Sequence, residues 1–329
     1  MAAELSAGLI GLGMMGRHHA RVLRSLAGVR LTAVADPGGD PHGVAGVLEV
    51  GASVQHLIDA GVDYAVVAVP TSYHEEIGLA LADAGIHALI EKPLASTSEA
   101  AARLAKAFAD RGLIGAVGHI ERFNPALRSL RSRLEQGELG EIYQVSTRRQ
   151  GPFPARIADV GVVKDLATHD IDLTAWVAQA AYRSVSAHVA LKSGRDYEDL
   201  VAISGLLEGG IVANHLVNWL SPFKERTTAV TGELGSFVAD TVTADLTFYA
   251  NGTRDTTWES LAGFRGVSEG DAVRYSLGKQ EPLQVEHEAF RDAVLGDPSG
   301  VVTMLEGLAT VRVAEAVLES AASGATVLL

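Results

Sequence analysis

Two short segments carry residues whose types and spacing could perform acid–base chemistry. In the first, VKDLATHDIDL (residues 163–173), Asp165 stands four positions before His169, and Asp172 stands three positions after it. On a helix these positions share a face, and a carboxylate one turn from an imidazole orients the ring and raises its basicity. One histidine among several aspartates makes a poor zinc site. The spacing therefore predicts a general base, His169, oriented by Asp165.

The second segment is LIEKPLA (residues 89–95), in which Glu91, Lys92 and Pro93 follow an apolar run. A charged pair in this position has two interpretations. It forms an ordinary surface turn, or it ends a strand beside a cofactor, where Lys92 could hydrogen-bond a substrate hydroxyl. Pro93 is compatible with a cis peptide bond. The segment alone does not decide between the two.

A glycine-rich segment near the start of the chain is typical of a dinucleotide-binding turn. GLGMMG (residues 11–16) follows an apolar run and precedes a helical pattern, and Asp36 ends the next apolar run twenty residues after Gly16. Gly11 permits the tight turn, Gly13 lets the backbone approach a pyrophosphate, and Gly16 allows close packing of helix and strand. Chance could supply three glycines in a chain with 35 of them. The strand–turn–helix–strand context favours a nucleotide site.

The predicted nucleotide is NAD. Asp36 is expected to accept hydrogen bonds from both ribose hydroxyls and would repel a 2′-phosphate, although one aspartate does not exclude NADP. A second apolar run ends in Pro70 and Thr71, where the carboxyl edge of a parallel sheet would bind a ligand. The predicted cofactor contacts are Gly11, Gly13, Met14, Met15, Gly16, Asp36, Pro70, Thr71, Glu91 and Lys92.

The elements that must position these residues fall into two groups. Up to about residue 120, short apolar runs alternate with helical patterns, which predicts a doubly wound parallel sheet. The predicted strands are 5–10, 30–35, 64–69, 87–90 and 114–118, and the predicted helices are 17–26, 53–60, 73–84 and 98–110.

Beyond about residue 123 the pattern predicts an antiparallel sheet with two helices, 125–136 and 165–178. Its predicted strands are 141–149, 184–191, 200–207, 211–219, 227–231 and 236–240. The sequence thus predicts an α/β protein with a Rossmann domain at 1–120 and an α+β domain at 121–329 that has an open, mainly antiparallel sheet. A C-terminal helix at 303–321 is compatible with packing on the first domain.

The amino-acid composition argues against several kinds of chemistry and several kinds of partner. The chain has 329 residues, of which 47% are hydrophobic, and it has no cysteine, so a disulfide or a thiolate nucleophile is excluded. The formal charge of −13 gives no general attraction to nucleic acid or to an anionic membrane. The first residues lack the basic n-region and the small-residue cleavage site of a signal peptide, and no apolar run approaches the length of a membrane span. We expect a cytoplasmic protein with neither a metal nor a nucleic-acid partner.

Taken in order, the GxGxxG segment, the strand-end aspartate, EKP and DxxxHDxD resemble the Gfo/Idh/MocA oxidoreductase family over essentially the whole chain. The family includes glucose–fructose oxidoreductase and inositol dehydrogenase. The resemblance implies a tightly held nicotinamide cofactor and a second-domain sheet that mediates homodimers or homotetramers. By motif match, it assigns catalysis to Lys92, Asp165 and His169.

One further segment resembles a particular branch of this family. GHIERFNPA (residues 118–126), together with KDLATHDIDL, is similar to UDP-N-acetylglucosamine 3-dehydrogenases. The neighbours Arg148 and Arg149 could offer one guanidinium to a diphosphate, because adjacent strand residues face opposite sides. The resulting substrate-binding prediction comprises Lys92, Glu121, Arg122, Asn124, Arg148, Asp165 and His169.

The predicted reaction is hydride transfer between a sugar carbinol and nicotinamide, at C3 of a UDP-N-acetylhexosamine or a related nucleotide-sugar. His169 would remove the hydroxyl proton and Lys92 would stabilise the developing alkoxide, although either residue could be the formal base. The alternatives are a free-sugar or inositol dehydrogenase, a deoxysugar ketoreductase, and a catalytically silent NAD(H)-binding regulator. An intact Lys92, Asp165 and His169 argues against the regulator. The sequence does not determine the sugar, the direction of the reaction or the oligomeric state.

Overall fold

The computed structural model describes residues 4–153, 160–252 and 268–329. The chain divides into two compact units, each made of two segments. Unit 1 comprises residues 1–120 and 281–315, and unit 2 comprises residues 121–280 and 316–329. The first boundary falls where the sequence pattern changes. Residues 281–315, which the sequence analysis assigned to the second domain, belong to unit 1.

Unit 1 is built on a six-stranded parallel sheet of the predicted doubly wound type, with strand order β3-β2-β1-β4-β5-β6. The strands are β1 (Leu5–Ile10), β2 (Val29–Ala35), β3 (Val50–Gly51), β4 (Tyr64–Val67), β5 (His87–Glu91) and β6 (Gly115–Gly118). Parallel neighbours require crossover connections, which four helices supply. These helices are α1 (Met14–Ser25), α2 (Val54–Asp59), α3 (His74–Asp83) and α4 (Ser98–Asp110).

The central strands of this sheet are buried on both faces. All four residues of β4 are buried, as are the last four of β1, which explains their continuous apolar sequences. Because the strands are parallel, the segments that follow β1, β4 and β5 lie at the same carboxyl edge. The GxGxxG turn, Pro70 and Lys92 all follow strand ends at this edge.

The second segment of unit 1 contains helix α7 (Pro282–Val294) and the first part of α8 (Met304–Ser323). Phe290 of α7 packs edge-to-face on Tyr64, with 5.3 Å between the ring centroids. The Val117 N–H of β6 donates a 2.9 Å hydrogen bond to the Val302 carbonyl. The segment thus completes the core and the sheet edge of unit 1.

Unit 2 contains a nine-stranded sheet with strand order β14-β13-β12-β11-β7-β10-β9-β8-β15. All neighbouring pairs are antiparallel except β7 and β10, which run parallel, so the prediction of a mainly antiparallel sheet is confirmed. The strands are β7 (Ile142–Pro152), β8 (Tyr182–Ala190), β9 (Leu200–Leu207), β10 (Val212–Asn218), β11 (Leu220–Gly232), β12 (Gly235–Asp240), β13 (Asp245–Gly252), β14 (Ser268–Tyr275) and β15 (Val327–Leu328).

Several candidate site residues of unit 2 lie at or just before the starts of two helices. Helix α5 (Pro125–Glu135) begins after Asn124, whose side chain accepts a 3.0 Å hydrogen bond from the Ala126 N–H. Helix α6 (Thr168–Ala178) is preceded by a π-helical turn, Val163–Ala167. The sequence analysis predicted one helix from Asp165, whereas the structure places Asp165 in this wider turn. None of the helices in the described ranges is long and apolar enough to cross a bilayer.

Candidate active site

The GxGxxG turn has the geometry that its glycines predict. Gly11 has φ of +94°, and a Cβ added there would lie 2.3 Å from the Ala68 carbonyl oxygen. A Cβ at Gly16 would lie 1.9 Å from the Gly11 carbonyl oxygen, so neither position tolerates a side chain. At Gly13 a Cβ would meet nothing within 4 Å. The turn therefore packs tightly at both ends and leaves open space at its middle glycine.

Helix α1 begins directly after that open space. Gly13 is its N-cap and offers no side-chain hydrogen bond, so the first turn at Met14 and Met15 keeps main-chain N–H groups for a ligand. The positive end of the helix dipole favours an anion there. These features fit a dinucleotide pyrophosphate.

Asp36 directly follows β2 and reaches back to the same turn. Its Oδ2 accepts a 2.8 Å hydrogen bond from the Leu12 N–H, and its Oδ1 accepts a 2.7 Å bond from the Gly38 N–H. The carboxylate is therefore fixed beside the glycine turn. Each carboxylate oxygen can accept a further bond, which is what a ribose hydroxyl requires.

Pro70 and Thr71 lie in the short turn that joins β4 to α3, at the predicted edge. A few residues later, His74 is 1% exposed, and its Nδ1 and Nε2 lie 3.0 Å from the carbonyl oxygens of Pro93 and Val69, respectively. His74 thus connects the loop after β4 to the EKP segment. Sequence reasoning gave it no role, because its partners are main-chain carbonyls that no motif reveals.

The EKP segment follows β5 as predicted, and the Lys92–Pro93 peptide bond is cis. Glu91 is buried: its Oε1 lies 2.9 Å from Nε2 of His19, and its Oε2 accepts the Lys92 N–H at 3.1 Å. Burial raises the pKa of the Glu91 carboxyl, but the hydrogen bond from His19 and the nearby charge of Lys92 outweigh it and lower the pKa overall. Glu91 is therefore an anion bonded to protein groups.

In unit 2, Asp165 lies in the π-helical turn and is buried, whereas His169 lies in the first turn of α6 and is partly exposed. π-helical turns are rare, and they frequently lie at functional sites. The turn places the predicted base at a helix start, with its carboxylate four residues earlier. The orienting role of Asp165 stays a prediction.

Two buried arginines hold the first turns of α6. Arg122 donates from Nε and Nη2 to the two carboxylate oxygens of Asp172, at 2.8 and 2.6 Å. Arg149 of β7 binds Asp170 at 2.8 Å and Glu121 at 2.7 Å. Burial alone would lower the pKa of Arg149, but the charges of Asp170 and Glu121 outweigh it and raise the pKa. This doubly braced cluster fixes the helix that carries His169.

Three of the residues that the sequence predicted to contact the substrate bind other protein groups. Glu121 and Arg122 each bind an oppositely charged side chain, and Asn124 both caps α5 and donates to the Thr241 carbonyl at 3.1 Å. Arg148 is exposed, and its neighbour Arg149 is buried on the other face of β7. Substrate contact by Glu121, Arg122, Asn124 or Arg148 stays a prediction.

A further basic residue, which the sequence analysis did not select, lies on the face of Arg149. Arg226 of β11 pairs directly with Arg149 of β7, so the two side chains share a face of the sheet. The charges of Glu121, Asp170 and Asp165 all act on Arg226, as does that of Arg149. The only sequence signal was a charged run, KER, within an apolar strand.

Comparisons with known proteins agree with this geometry. Residues 5–119 match the family model described as "Oxidoreductase family, NAD-binding Rossmann fold", and residues 127–238 match "GFO/IDH/MocA C-terminal domain". The chain belongs to the Gfo/Idh/MocA oxidoreductase family. It is an NAD-binding enzyme, a dehydrogenase that acts on CH–OH groups.

Relatives of two kinds resemble the chain about equally. It is 32% identical to inositol 2-dehydrogenase 2 of Saccharopolyspora erythraea, over 98% of this chain and 94% of the relative. It is 31% identical to the UDP-N-acetylglucosamine 3-dehydrogenase of Acidithiobacillus ferrooxidans, over 88% and 89% of the two chains. These relatives define a family of NAD-dependent sugar or inositol dehydrogenases.

Solved structures show the same architecture over the whole chain. A structure of the Acidithiobacillus ferrooxidans UDP-N-acetylglucosamine 3-dehydrogenase has a TM-score of 0.82 at 26% identity, and covers 97% of this chain and 98% of that one. A protein from gentamicin A biosynthesis, solved in complex with NAD, has a TM-score of 0.82 at 25% identity, with 100% and 97% coverage. The glycine turn thus belongs to a fold that binds this cofactor in a similar protein.

Proposed function

We propose that the protein uses NAD to oxidise a secondary hydroxyl of a nucleotide-sugar, at C3 of a UDP-N-acetylhexosamine or a related compound. Support comes from the resemblance to the UDP-N-acetylglucosamine 3-dehydrogenase and from one feature of unit 2. That feature is Arg226, a guanidinium that takes part in none of the ion pairs found within residues 4–153, 160–252 and 268–329.

Arg226 favours a substrate that carries negative charge. Its neighbour Arg149 is already bound to Asp170 and Glu121, and the ion pairs found within the described ranges include neither Arg226 nor Lys224. Burial, and next the positive charge of Arg149, lower the pKa of Arg226. A diphosphate would give Arg226 a direct, bidentate anionic partner, whereas a neutral inositol would not.

NAD held at the glycine turn and Asp36 would supply the hydride acceptor, and residues of the chain manage the proton and the developing charge. His169 removes the hydroxyl proton as general base, and Asp165 orients its ring. Lys92 donates a hydrogen bond to the same oxygen as negative charge develops on it. The braced start of α6 keeps His169 in a single orientation, which lowers the entropy lost on reaching the reactive geometry.

The catalytic roles are tested by His169→Ala and Lys92→Ala. We expect each variant to lower kcat by about 10²- to 10⁴-fold, because each loses a proton-transfer or charge-stabilising group. NAD should remain bound to both variants, as measured by fluorescence titration. The matched controls are His188→Ala and Lys106→Ala, which alter exposed side chains on β8 and α4. Near-normal turnover by both site variants would overturn the assignment.

The substrate class is tested with a panel of UDP-sugars, free sugars and inositols, by following both NADH absorbance and product mass. Product analysis is needed because a cofactor that stays bound can be reoxidised without a net absorbance change. Arg226→Leu should raise KM for nucleotide-sugars by about 10- to 100-fold through loss of a charged contact. Arg148→Leu is the comparison on the opposite face, and a larger effect there would transfer the phosphate contact to Arg148.

The second candidate function is inositol 2-dehydrogenase, favoured by the relative in Saccharopolyspora erythraea. An inositol dehydrogenase should turn over myo-inositol or scyllo-inositol, and Arg226→Leu should not change its KM for that inositol. Turnover of an inositol at a higher kcat/KM than any nucleotide-sugar would replace the proposal with this candidate.

A further inference from the structure

Behind Lys92, unit 1 contains a hydrogen-bonded chain of three buried side chains that the proposed reaction does not use. His287 Nε2 lies 2.9 Å from His19 Nδ1, and His19 Nε2 lies 2.9 Å from Glu91 Oε1. His19 is 0% exposed and His287 is 1% exposed. The other carboxylate oxygen of Glu91 accepts the main-chain N–H of Lys92. This hydrogen-bonded chain therefore ends at the main-chain N–H of Lys92.

His287, at the far end of this hydrogen-bonded chain, determines the direction of its hydrogen bonds. Burial, and next the proximity of His19, lower the pKa of His287 well below its ordinary value, so this ring is neutral. Its Nδ1 has no hydrogen-bond partner in the part of the chain that the structure describes, and a proton there would be a buried donor left unsatisfied. The proton therefore belongs on Nε2, which donates to His19, and His19 in turn donates to Glu91.

The three residues come from three separate elements. His19 lies in α1, three residues after Gly16, in the helix whose first turn receives the pyrophosphate. Glu91 ends β5, and His287 lies in α7. A Cβ at Gly118 of β6 would lie 3.2 Å from the Glu91 side chain, so the glycine leaves the space that this carboxylate occupies. The chain thus fixes the start of the EKP segment against the cofactor-binding helix.

We propose that the buried chain His287–His19–Glu91 positions Lys92, by fixing the main chain of this lysine relative to the helix that binds the cofactor. The proposal rests on the hydride-transfer function proposed above, in which Lys92 contacts the substrate oxygen. His19, Glu91 and His287 are positioning residues, because they act through Lys92. Small misplacements of a catalytic group lower the rate by about 10²-fold. We therefore expect the His287–His19–Glu91 hydrogen bonds to affect kcat more than the binding of substrate or NAD.

The experiment compares His19→Leu, His287→Leu and His19→Gln in the full-length protein. Both leucine variants should lower kcat about 10- to 100-fold, while KM for the substrate and the Kd for NAD stay within about threefold. Gln can accept from His287 and donate to Glu91, so His19→Gln should recover most of kcat. His287→Leu leaves the bond between His19 and Glu91 in place, and it decides the question if His19→Leu fails to fold.

The matched control is His215→Leu, which removes a histidine that is 2% exposed and that bonds Thr147 and Tyr182 within unit 2. It should lower the thermal unfolding midpoint without changing kcat. Unchanged kcat in the folded leucine variants would overturn the proposal. So would a His19→Gln variant as slow as His19→Leu, or a fall in kcat that merely follows stability, as in His215→Leu.

Hydrogen–deuterium exchange separates this proposal from the proposed function, because it requires no substrate. Loss of the His287–His19–Glu91 hydrogen bonds should accelerate exchange of the Lys92 amide in His19→Leu but not in His215→Leu. The exchange is measured on peptides covering residues 89–96. If the wild-type protein turns over no sugar or inositol, the proposed function fails, and faster exchange still supports the positioning of Lys92. Unchanged exchange in His19→Leu would overturn the positioning role itself.

Discussion

Glu286 precedes His287 in α7 and is 2% exposed, yet neither of its carboxylate oxygens has a hydrogen-bond partner in the described ranges. Burial, and next the negative charge of Glu91, raise the pKa of Glu286 well above its ordinary value. The folded protein therefore holds a neutral acid there. Acids of this kind reduce stability at neutral pH, because the unfolded chain releases the proton and the folded chain retains it.

The stability cost of this acid is measurable with Glu286→Gln. Above the unfolded glutamate pKa of about 4.3, the folded state binds more protons, so stability falls by up to about 1.4 kcal/mol per pH unit until the folded pKa is reached. Gln has nearly the same shape and does not titrate. We expect it to raise the free energy of unfolding at pH 8 by about 1–3 kcal/mol, and by less at pH 5. Urea unfolding at the two pH values measures the difference.

The control for this substitution is Glu288→Gln, on a partly exposed position of the same helix. It should change the free energy of unfolding by less than about 0.5 kcal/mol at either pH. If Glu286→Gln instead destabilised the protein more at pH 8 than at pH 5, Glu286 would be an anion with a stabilising partner. The neutral-acid interpretation would then be wrong.

At the scale of elements, we expect the preference for NAD over NADP to depend on the arrangement of β1, α1 and the residue that follows β2. The turn after β1 is constrained by Gly11 and Gly16, and the first residue of the loop after β2, Asp36, is bonded to that turn through the Leu12 N–H. Asp36 closes the glycine turn. We also expect it to present a negative charge where a ribose 2′-substituent would lie.

The substitution Asp36→Ser separates these two functions. Serine removes the charge that repels a 2′-phosphate and weakens the contact with the ribose, so KM should rise for NAD and fall for NADP. We expect the ratio of kcat/KM values to change about 100-fold towards NADP, equivalent to about 2.7 kcal/mol. Steady-state kinetics with both cofactors provides the measurement.

Asp40 offers a control in the same loop, because its carboxylate also accepts two main-chain N–H groups, from Val44 and Ala45, each at 2.7 Å. Asp40→Ser should leave the cofactor ratio unchanged. An equal rise of KM for both cofactors in Asp36→Ser would show that Asp36 only closes the turn.

The elements that the sequence predicted correctly are those with local signals. The first sheet was predicted because β4 and its neighbours are short apolar runs between helical patterns, and NAD was predicted as the cofactor because GxGxxG and Asp36 lie within one βαβ unit. The turn between the antiparallel strands β9 and β10 carries another local signal, Gly209 and Gly210, both of which have positive φ. Helix α7 was overlooked, although Pro282 at its first turn and apolar Leu283 and Phe290 were available signals.

The remaining features depend on pairings between distant residues. His19 and His287 are 268 positions apart, and Arg122 and Asp172 are 50 positions apart, so no local pattern reports their contact. Arg122 was interpreted as a substrate ligand because its charge is visible in the sequence and its partner is not. The same limit hid Arg226, whose position beside Arg149 follows only from the register of β11 and β7.

At the scale of the whole molecule, the NAD-binding unit is discontinuous in sequence. The family model for the Rossmann fold ends at residue 119, but unit 1 also contains residues 281–315. This segment buries Phe290 against Tyr64, pairs with β6 through Val302, and supplies His287. Residues 1–120 alone would expose the Tyr64 ring, which is 0% exposed in the full chain.

A chain ending at residue 280 should therefore lose NAD binding, whereas a chain ending at residue 315 should keep it. Truncating one buried Phe costs about 3–5 kcal/mol, and loss of the whole segment removes several such side chains from a fold stabilised by about 5–15 kcal/mol. The longer chain retains unit 1 and loses β15 together with the Ser320 hydroxyl that accepts the Ala187 N–H in unit 2. Fluorescence titration with NAD and thermal unfolding of both chains provide the comparison. NAD binding of full-chain affinity by residues 1–280 would show that the Rossmann sheet is complete without its second segment.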